Sequence, residues 1–496
     1  MDDRGQSDDL VVPVKLPNNV QGGAAEAVEG SGSAKGNTAS ETCSGLGAGQ
    51  SALSGLARVR QVAETDKEAR FTALLHHVDI DRLRAAYWAL EPKAAPGVDG
   101  VRWADYGADL EENLRDLHAR VHRGAYRARP SRRVYIPKPD GRLRPLGVAS
   151  LEDKILQRAV VEVLNAIYEA DFLDFSYGFR PGRSPHRALD ALATAIRRKR
   201  VNWVLDADFS DYFSSLDHRW LERFVEHRIA DKRVLRLIQK WLAAGVIEEG
   251  SWTSYEEGVP QGASVSPLLA NVYAHYVLDL WAHQWRTRHA RGDMVIVRFA
   301  DDFVVGFEHR DDAVRFWAEL RDRLAKFSLE LNADKTRLIR FGRFAAQQRQ
   351  ERGLGKPETF RFLGFTHACA ETRKGRFKLK RITDSKRVPV KLHAIKSELR
   401  WRRHLPIPEQ GHWLARVLQG HYNYYGVPDN IQALRAFREE VARLWRQALS
   451  RRSQKAHVSW ERMSRLADRW LPQPHIVHPW PEQRFDARTQ GRSLVR

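Results

Sequence analysis

The sequence predicts an α+β chain, with a small antiparallel sheet carrying helices in its middle and a mostly α-helical C-terminal third. Three observations predict it. Short apolar runs of strand length, "NWVLDADF" (202–209), "MVIVRFADDFVVGF" (294–307), "TRLIRF" (336–341) and "FRFLGF" (360–365), alternate with longer stretches whose apolar residues recur every three or four positions. From about 385 to about 470 the pattern is helical and very basic. A chain of 496 residues also exceeds one small core, so two or three domains are expected.

Residues 1–60 are rich in Gly, Ala, Ser and Thr and read as a disordered leader, because so few apolar groups cannot offset the entropy of ordering. Order is expected from "KEARFTALLHHVDIDRLRAAYWAL" (67–90), which reads as helices, followed by a Pro/Gly turn at "APGVDGV" (95–101). "RRVYIPKPDGRLRPLGVAS" (132–150) reads as a hairpin turning at "PDG", and 151–172 as a strong amphipathic helix. A helix over 215–229 follows the strand at 202–209. A turn and a long helix occupy 259–285, then strand, tight turn and strand at 294–307, then a helix at 311–329. The closing "LPQPHIVHPWPEQRF" is Pro-rich and expected to be extended.

Lys plus Arg number 82 against 62 Asp plus Glu, a net charge of +20 that points to a polyanionic partner, most often nucleic acid. The two cysteines, Cys43 and Cys369, form no CxxC pair, which excludes a Cys-ligated zinc module and argues against a structural disulfide. A reducing compartment follows. The acidic start "MDDRGQSDDL" is not a secretory signal, and no apolar run reaches membrane-spanning length, so a cytoplasmic protein without a membrane partner is expected.

Within "RFADDFVVGF" two adjacent acids, Asp301 and Asp302, interrupt an apolar run. Ionised carboxylates are costly to bury without a cationic partner. Asp206 and Asp208 alternate with apolar neighbours on the other acid-bearing strand, so both point to one face. If the two strands pair, one of these acids meets the Asp301–Asp302 turn. Clustered carboxylates raise one another's pKa, and a divalent cation relieves the conflict. Mg²⁺ suits hard oxygens and few protein ligands, and two such ions serve in-line phosphoryl or nucleotidyl transfer. An acidic turn paired by Arg298 is the plainer alternative. Nearby, "GVPQGASVSPLLANVY" offers Gln261 between glycine and proline turns, and Lys138 and Arg144 on the basic hairpin suit a triphosphate. A basic surface hairpin and a helix-starting Pro turn explain the same residues.

The blocks "APGVDG", "RPLGVASLEDKILQRAV", "SYGFRPGRSPHRAL", "DADFSDYFSSLDH", "GVPQGASVSPLLANVY", "RFADDFVV", "LNADKTRLIRFG" and "FRFLGF", followed by "LQGHYNYYGVPDN", stand in an order that resembles the reverse transcriptase/maturase proteins of bacterial group II introns. The resemblance covers about 67–480. It implies a right-hand polymerase: fingers and palm over 61–370, a helical, RNA-binding thumb or maturase region over 371–475, and a basic extended tail over 476–496. It implies an RNA-directed DNA polymerase whose partners are intron RNA, a DNA primer or target, and dNTPs. By position the metal-binding triad is Asp208, Asp301 and Asp302, holding two Mg²⁺ ions. Asp206 is not counted in the triad. Phe213 matches the aromatic that crowds the sugar 2′ position, Phe209 falls in the same nucleotide site, and Lys138, Arg144 and Gln261 match the other nucleotide contacts. Lys335 is a candidate proton donor to the leaving pyrophosphate.

Two departures stand out. Ser214 lies where the family commonly has an acid. No cysteine follows Cys369, so a Cys/His endonuclease module is not expected and the primer would come from elsewhere, such as a nascent strand. Residues 373–403 hold thirteen Lys/Arg against Asp384 and Glu398, with Trp401, Trp413, Tyr422, Tyr424 and Tyr425 in or soon after the run. Basic residues interleaved with aromatics suit an RNA backbone and unpaired bases.

Overall fold

A computed structural model describes residues 48–137, 143–248, 251–253, 257–260, 262–452 and 457–484. The first difference from expectation comes at the start. A helix runs over Ala48–Thr65, inside the stretch read as a leader. Its later half carries Val59 and Ala63 into the main core, with Leu56 and Val62 packed beside them, which is burial enough to order it. Residues 1–47 lie outside the described residues.

The expected hairpin is present. β1 (Ser131–Pro137) and β2 (Leu143–Val148) pair antiparallel, and β1 also pairs in parallel with β4 (Val246–Glu248), which continues to β5 (Ser251–Thr253). Behind them runs the helix Leu151–Asp171. Ser150 caps its N-terminus, accepting from the Asp153 amide, and Glu152 and Asp153 place negative charge against the positive end of the helix. Its apolar face, Ile155, Leu156, Val160, Val163 and Ile167 among others, is buried throughout.

The central sheet has the order β6-β7-β3-β8, with every neighbouring pair antiparallel. Its strands are β3 (Trp203–Asp208), β6 (Met294–Phe299), β7 (Asp302–Phe307) and β8 (Arg337–Arg340). Both faces are covered, which explains the continuous apolar runs. Leu205, Ala207, Ile296, Phe303 and Val305 face the large helical core. Val204, Val295, Val297, Val304 and Ile339 face a second core shared with helix Pro185–Arg198. The long helix expected over 259–285 runs from Ser266 to Arg288, with one π turn at His275–Asp279.

The chain departs again after 360. Three strands, β9 (Phe360–Phe362), β10 (Phe365–Glu371) and β11 (Phe377–Thr383), form a small antiparallel sheet, so 371–383 is not the start of the helical region. In "RFKLKRIT" Phe377 and Leu379 alternate with Lys378 and Lys380, the period of a strand, and Arg381 continues the inner face as a buried partner of Asp190. Helices Arg387–Trp401, Ile407–Tyr425, Ile431–Ser450 and Trp460–Trp470 then close a third core around Leu414, Leu418, Phe437, Val441 and Trp445. No helix among the described residues is long and apolar enough to cross a membrane.

His367 on β10 is fully enclosed, stacked on Phe360 with 4.6 Å between ring centroids. Burial first, then Arg381, hold its imidazole down at about 3, against an ordinary 6.5. The unfolded chain takes this proton below the ordinary value and the folded chain does not. Its contribution is therefore intact above that value and drains as the pH falls toward 3. At about pH 5 one such group costs about 2 kcal/mol. We expect a lower melting temperature at about pH 5 than at about pH 7.5, with His367→Phe removing the His367 share of the difference and leaving that of His77, His186 and His421.

Candidate active site

β3 and β7 pair so that Asp208 stands directly opposite Asp302, with Asp206 opposite Val304. Directly opposed residues share a face, and Asp206, Asp208 and Asp302 all lie on the side of Val204 and Val304. Between β6 and β7 only Ala300 and Asp301 remain, a two-residue turn. Ala300 takes a φ of 59°, a conformation that L-residues with a Cβ adopt at a cost.

That turn is held from beneath. Arg298 is completely buried, and its guanidinium forms a bidentate pair with Asp279 at 2.6 and 2.7 Å. It also donates to Asn271 Oδ1 (3.1 Å), Ser176 Oγ (2.7 Å) and the Ala300 carbonyl (2.9 Å). The Asn271 amide donates to the Gly178 carbonyl at 2.7 Å. Gly178 lies so close to the turn that a Cβ there would come within 2.3 Å of the Ala300 nitrogen, which is why "SYGF" carries glycine. Asp279 is the bidentate carboxylate partner of Arg298, Asp301 adds to its electrostatic surroundings, and the turn also receives a hydrogen bond from it at the Ala300 carbonyl.

The carboxylates are left crowded. Burial first, then Asp208, Asp206 and Asp301, push the Asp302 carboxyl well above the usual range, opposed by the Leu363 N–H that donates to it. Burial likewise pushes Asp206 up to about 6, with Arg337 at 3.6 Å and the Arg361 N–H opposing. β9 and the turn after it thus place two backbone donors, at Arg361 and Leu363, against the acid-bearing face. Lys335 contacts Asp208 through its ammonium group, and the Asp208 carbonyl accepts from the Asn332 amide at 2.8 Å.

Of the residues expected at the nucleotide, Phe213 sits half-buried beside Phe179, with 6.4 Å between rings. Its carbonyl accepts from Val259 at 2.7 Å, and Pro260 is tied to Ser266 Oγ at 2.8 Å. Gly262, at a φ of +109°, lies against Gly147 of β2, where a Cβ would meet the carbonyl at 2.6 Å. The segment flanking Gln261 is therefore wedged between the Phe213 turn and the basic hairpin. Gln261 and Lys138 lie outside the described residues, as does the side chain of Arg144. The ring of Phe209 faces the opposite side of the sheet from Asp208, is 3% exposed, and stacks on Tyr212 at 4.7 Å, so it packs the core.

Among the described residues no set of three acidic, His or Cys side chains converges closely enough to hold a metal unaided. The donor chemistry nonetheless fits a hard divalent cation, because the Asp302 carboxyl is raised by neighbouring carboxylates whose repulsion such an ion would relieve. The four residues that build the site from a distance, Asp279, Asn271, Ser176 and Leu363, were not singled out in the sequence. Only their meeting at Arg298 and Asp302 marks them.

A palm-like antiparallel sheet with acids on one face, a basic sheet hairpin on one side and a helical basic region on the other define a right-hand nucleic-acid polymerase. Residues 136–367 match the family model described as reverse transcriptase (RNA-dependent DNA polymerase). Protein YkfC of Escherichia coli (strain K12) is 36% identical over 313 residues, covering 56% of this chain and 81% of that protein. The group II intron-encoded protein LtrA of Lactococcus lactis subsp. cremoris is 33% identical over 231 residues, covering 45% and 38% respectively. Nuclear intron maturase 3, mitochondrial, of Arabidopsis thaliana is 31% identical over 131 residues, covering 26% and 18%. The chain belongs to the reverse transcriptase family. It spans well under half of the intron-encoded protein and the maturase it matches.

Proposed function

We propose that this chain copies intron RNA into DNA and binds that RNA to assist splicing and mobility, with Asp208, Asp301 and Asp302 as its polymerase centre. The observation that carries the reading is the pairing of Asp208 with Asp302 beneath a turn fixed by buried Arg298. The DNA primer's 3′-hydroxyl gives up its proton to solvent as its oxygen attacks the α-phosphorus of a dNTP. A new P–O bond forms as the bond to the β-phosphate oxygen breaks, and pyrophosphate leaves with the electron pair. Asp208, Asp301 and Asp302 would hold two Mg²⁺ ions, which would supply charge stabilisation to the transferring phosphate. Lys335 Nζ contacts the Asp208 carboxylate, and its role is to give the leaving pyrophosphate a proton. Lys138, Arg144 and Gln261 grip the nucleotide.

A groove of about 800 Å³ between helices Arg387–Trp401 and Ile407–Tyr425 supports the template path. Arg387, Lys391, Arg416 and Tyr424 line it, offering cations to a phosphate backbone and a ring to a sugar or base. Tyr424 of the groove donates to the Leu363 carbonyl at 2.9 Å, and the Leu363 amide in turn donates to Asp302.

Phe213 crowds the sugar 2′ position, the one handle that separates dNTPs from NTPs. We expect Phe213→Ala to raise ribonucleotide use relative to deoxyribonucleotide by about tenfold or more, read from single-nucleotide incorporation. The function as a whole is tested by two assays on one protein, DNA synthesis on an RNA template and splicing of the flanking intron. DNA synthesis without any effect on splicing would leave the polymerase and remove the maturase role.

A further inference from the structure

The segment read as an extended tail folds back on the molecule. The last turn of helix Ile407–Tyr425 leaves carbonyls that no helical amide can reach. Two imidazoles take them. His186, on helix Pro185–Arg198, lies with Nε2 2.7 Å from the Tyr424 carbonyl, and His478 lies with Nε2 2.7 Å from the Asn423 carbonyl. A carbonyl only accepts, so both rings carry a proton on Nε2. The rings stack with centroids 3.8 Å apart. Burial, chiefly, holds His186 down at about 4 and lowers His478, which keeps the stacked pair uncharged at neutral pH.

The same segment makes further contacts. The Val477 and His478 amides donate to the Gly426 carbonyl at 2.8 and 2.9 Å. Glu482 meets Arg197 at 2.5 Å, and Arg484 meets Asp190 at 3.0 Å. Asp190 is buried and is shared with Arg381 of β11 at 2.9 Å. One stretch of chain thus ties the helix beside the central sheet, the small β9–β11 sheet and the end of the groove helix.

We infer that residues 475–484 form a clasp, with His186, Asp190, His478 and Arg484 as positioning residues, that fixes the groove helix Ile407–Tyr425 against the acid-bearing sheet. This rests on the polymerase reading above. A line of contacts connects clasp and site: His186 holds the Tyr424 carbonyl, the Tyr424 hydroxyl holds the Leu363 carbonyl, and the Leu363 amide donates to Asp302. The clasp reaches Asp302 only through Tyr424 and Leu363, so loosening it changes how long a duplex is held and leaves the chemistry of each addition intact.

The test uses the full chain carrying His478→Ala with Arg484→Ala, a pair that leaves Arg381 to balance Asp190. The dissociation rate of a fluorescent RNA–DNA primer duplex is measured beside the number of nucleotides added per binding event under trap conditions. We expect dissociation to rise about tenfold and products to shorten in proportion, while single-nucleotide addition under single turnover stays within about twofold. His478→Gln, whose amide still donates to a carbonyl, restores most of the wild-type dissociation rate. Dissociation and product length unchanged in the double variant would overturn the clasp. A wild type that makes no DNA would refute the polymerase reading alone, since the dissociation measurement still decides the clasp.

Discussion

Asp302→Asn abolishes DNA synthesis and leaves the protein at least as stable as the wild type. Losing one metal-holding carboxylate removes several kcal/mol of charge stabilisation, so the expected fall in rate is about 10³-fold or more. The stability side follows from the carboxyl's environment. Burial and the neighbouring Asp208, Asp206 and Asp301 raise its pKa above the unfolded value, so the ionised form is disfavoured on folding. That penalty is absent at pH below the unfolded value and fully present above the folded one. Asparagine removes the charge and keeps an oxygen to accept from Leu363. Thermal melting and primer extension on one preparation check both signs. Wild-type extension rates in the variant would remove Asp302 from the site, and a large drop in melting temperature would mean that its charge is compensated in the folded protein.

Arg298→Leu has the second large effect, and here stability falls first. The substitution strands Asp279 in the core without its bidentate partner, at a cost of about 3–5 kcal/mol. It also strips a donor from the Ala300 carbonyl, Asn271 and Ser176. The double variant Arg298→Met with Asp279→Leu replaces the ion pair by apolar volume and recovers much of the folding. DNA synthesis does not recover with it, because the strained turn carrying Asp301 has lost its anchor. Chemical denaturation separates the two effects. Recovery of both stability and synthesis in the double variant would show that Arg298 serves the core and not the turn.

Much of this site is legible in the sequence because it is local. Strand-period alternation placed Asp206 and Asp208 on one face, and "FADDF" between apolar runs marked a tight hairpin. The pairing that brings Asp208 opposite Asp302 spans more than ninety residues, yet two acid-bearing strands of matching length made it a natural expectation. The main partner of Arg298 was not legible, for the opposite reason. Its nearest acids in the chain are Asp301 and Asp302, whereas its bidentate partner, Asp279, sits on the π turn of the preceding helix. The ring of Phe209 packs the core because the pleat sends neighbours to opposite faces, so it and Asp208 part company. The β10–β11 hairpin was hidden by charge: its lysines and arginines dominated a pattern whose apolar positions alternate. The helix over Ala48–Thr65 was hidden by small residues, since its buried face is built largely from alanine and valine.

The most direct measurement is single-turnover extension of a DNA primer by one dNTP on an RNA template, with wild-type protein beside Asp208→Asn. Asp208 is the strand partner of Asp302 and the contact of Lys335, so the whole arrangement depends on it. The wild type extends the primer, and the variant does so about 10³-fold more slowly while binding the same duplex. Equal extension by the two proteins would contradict the assignment of this paired-strand carboxylate site as the polymerase centre.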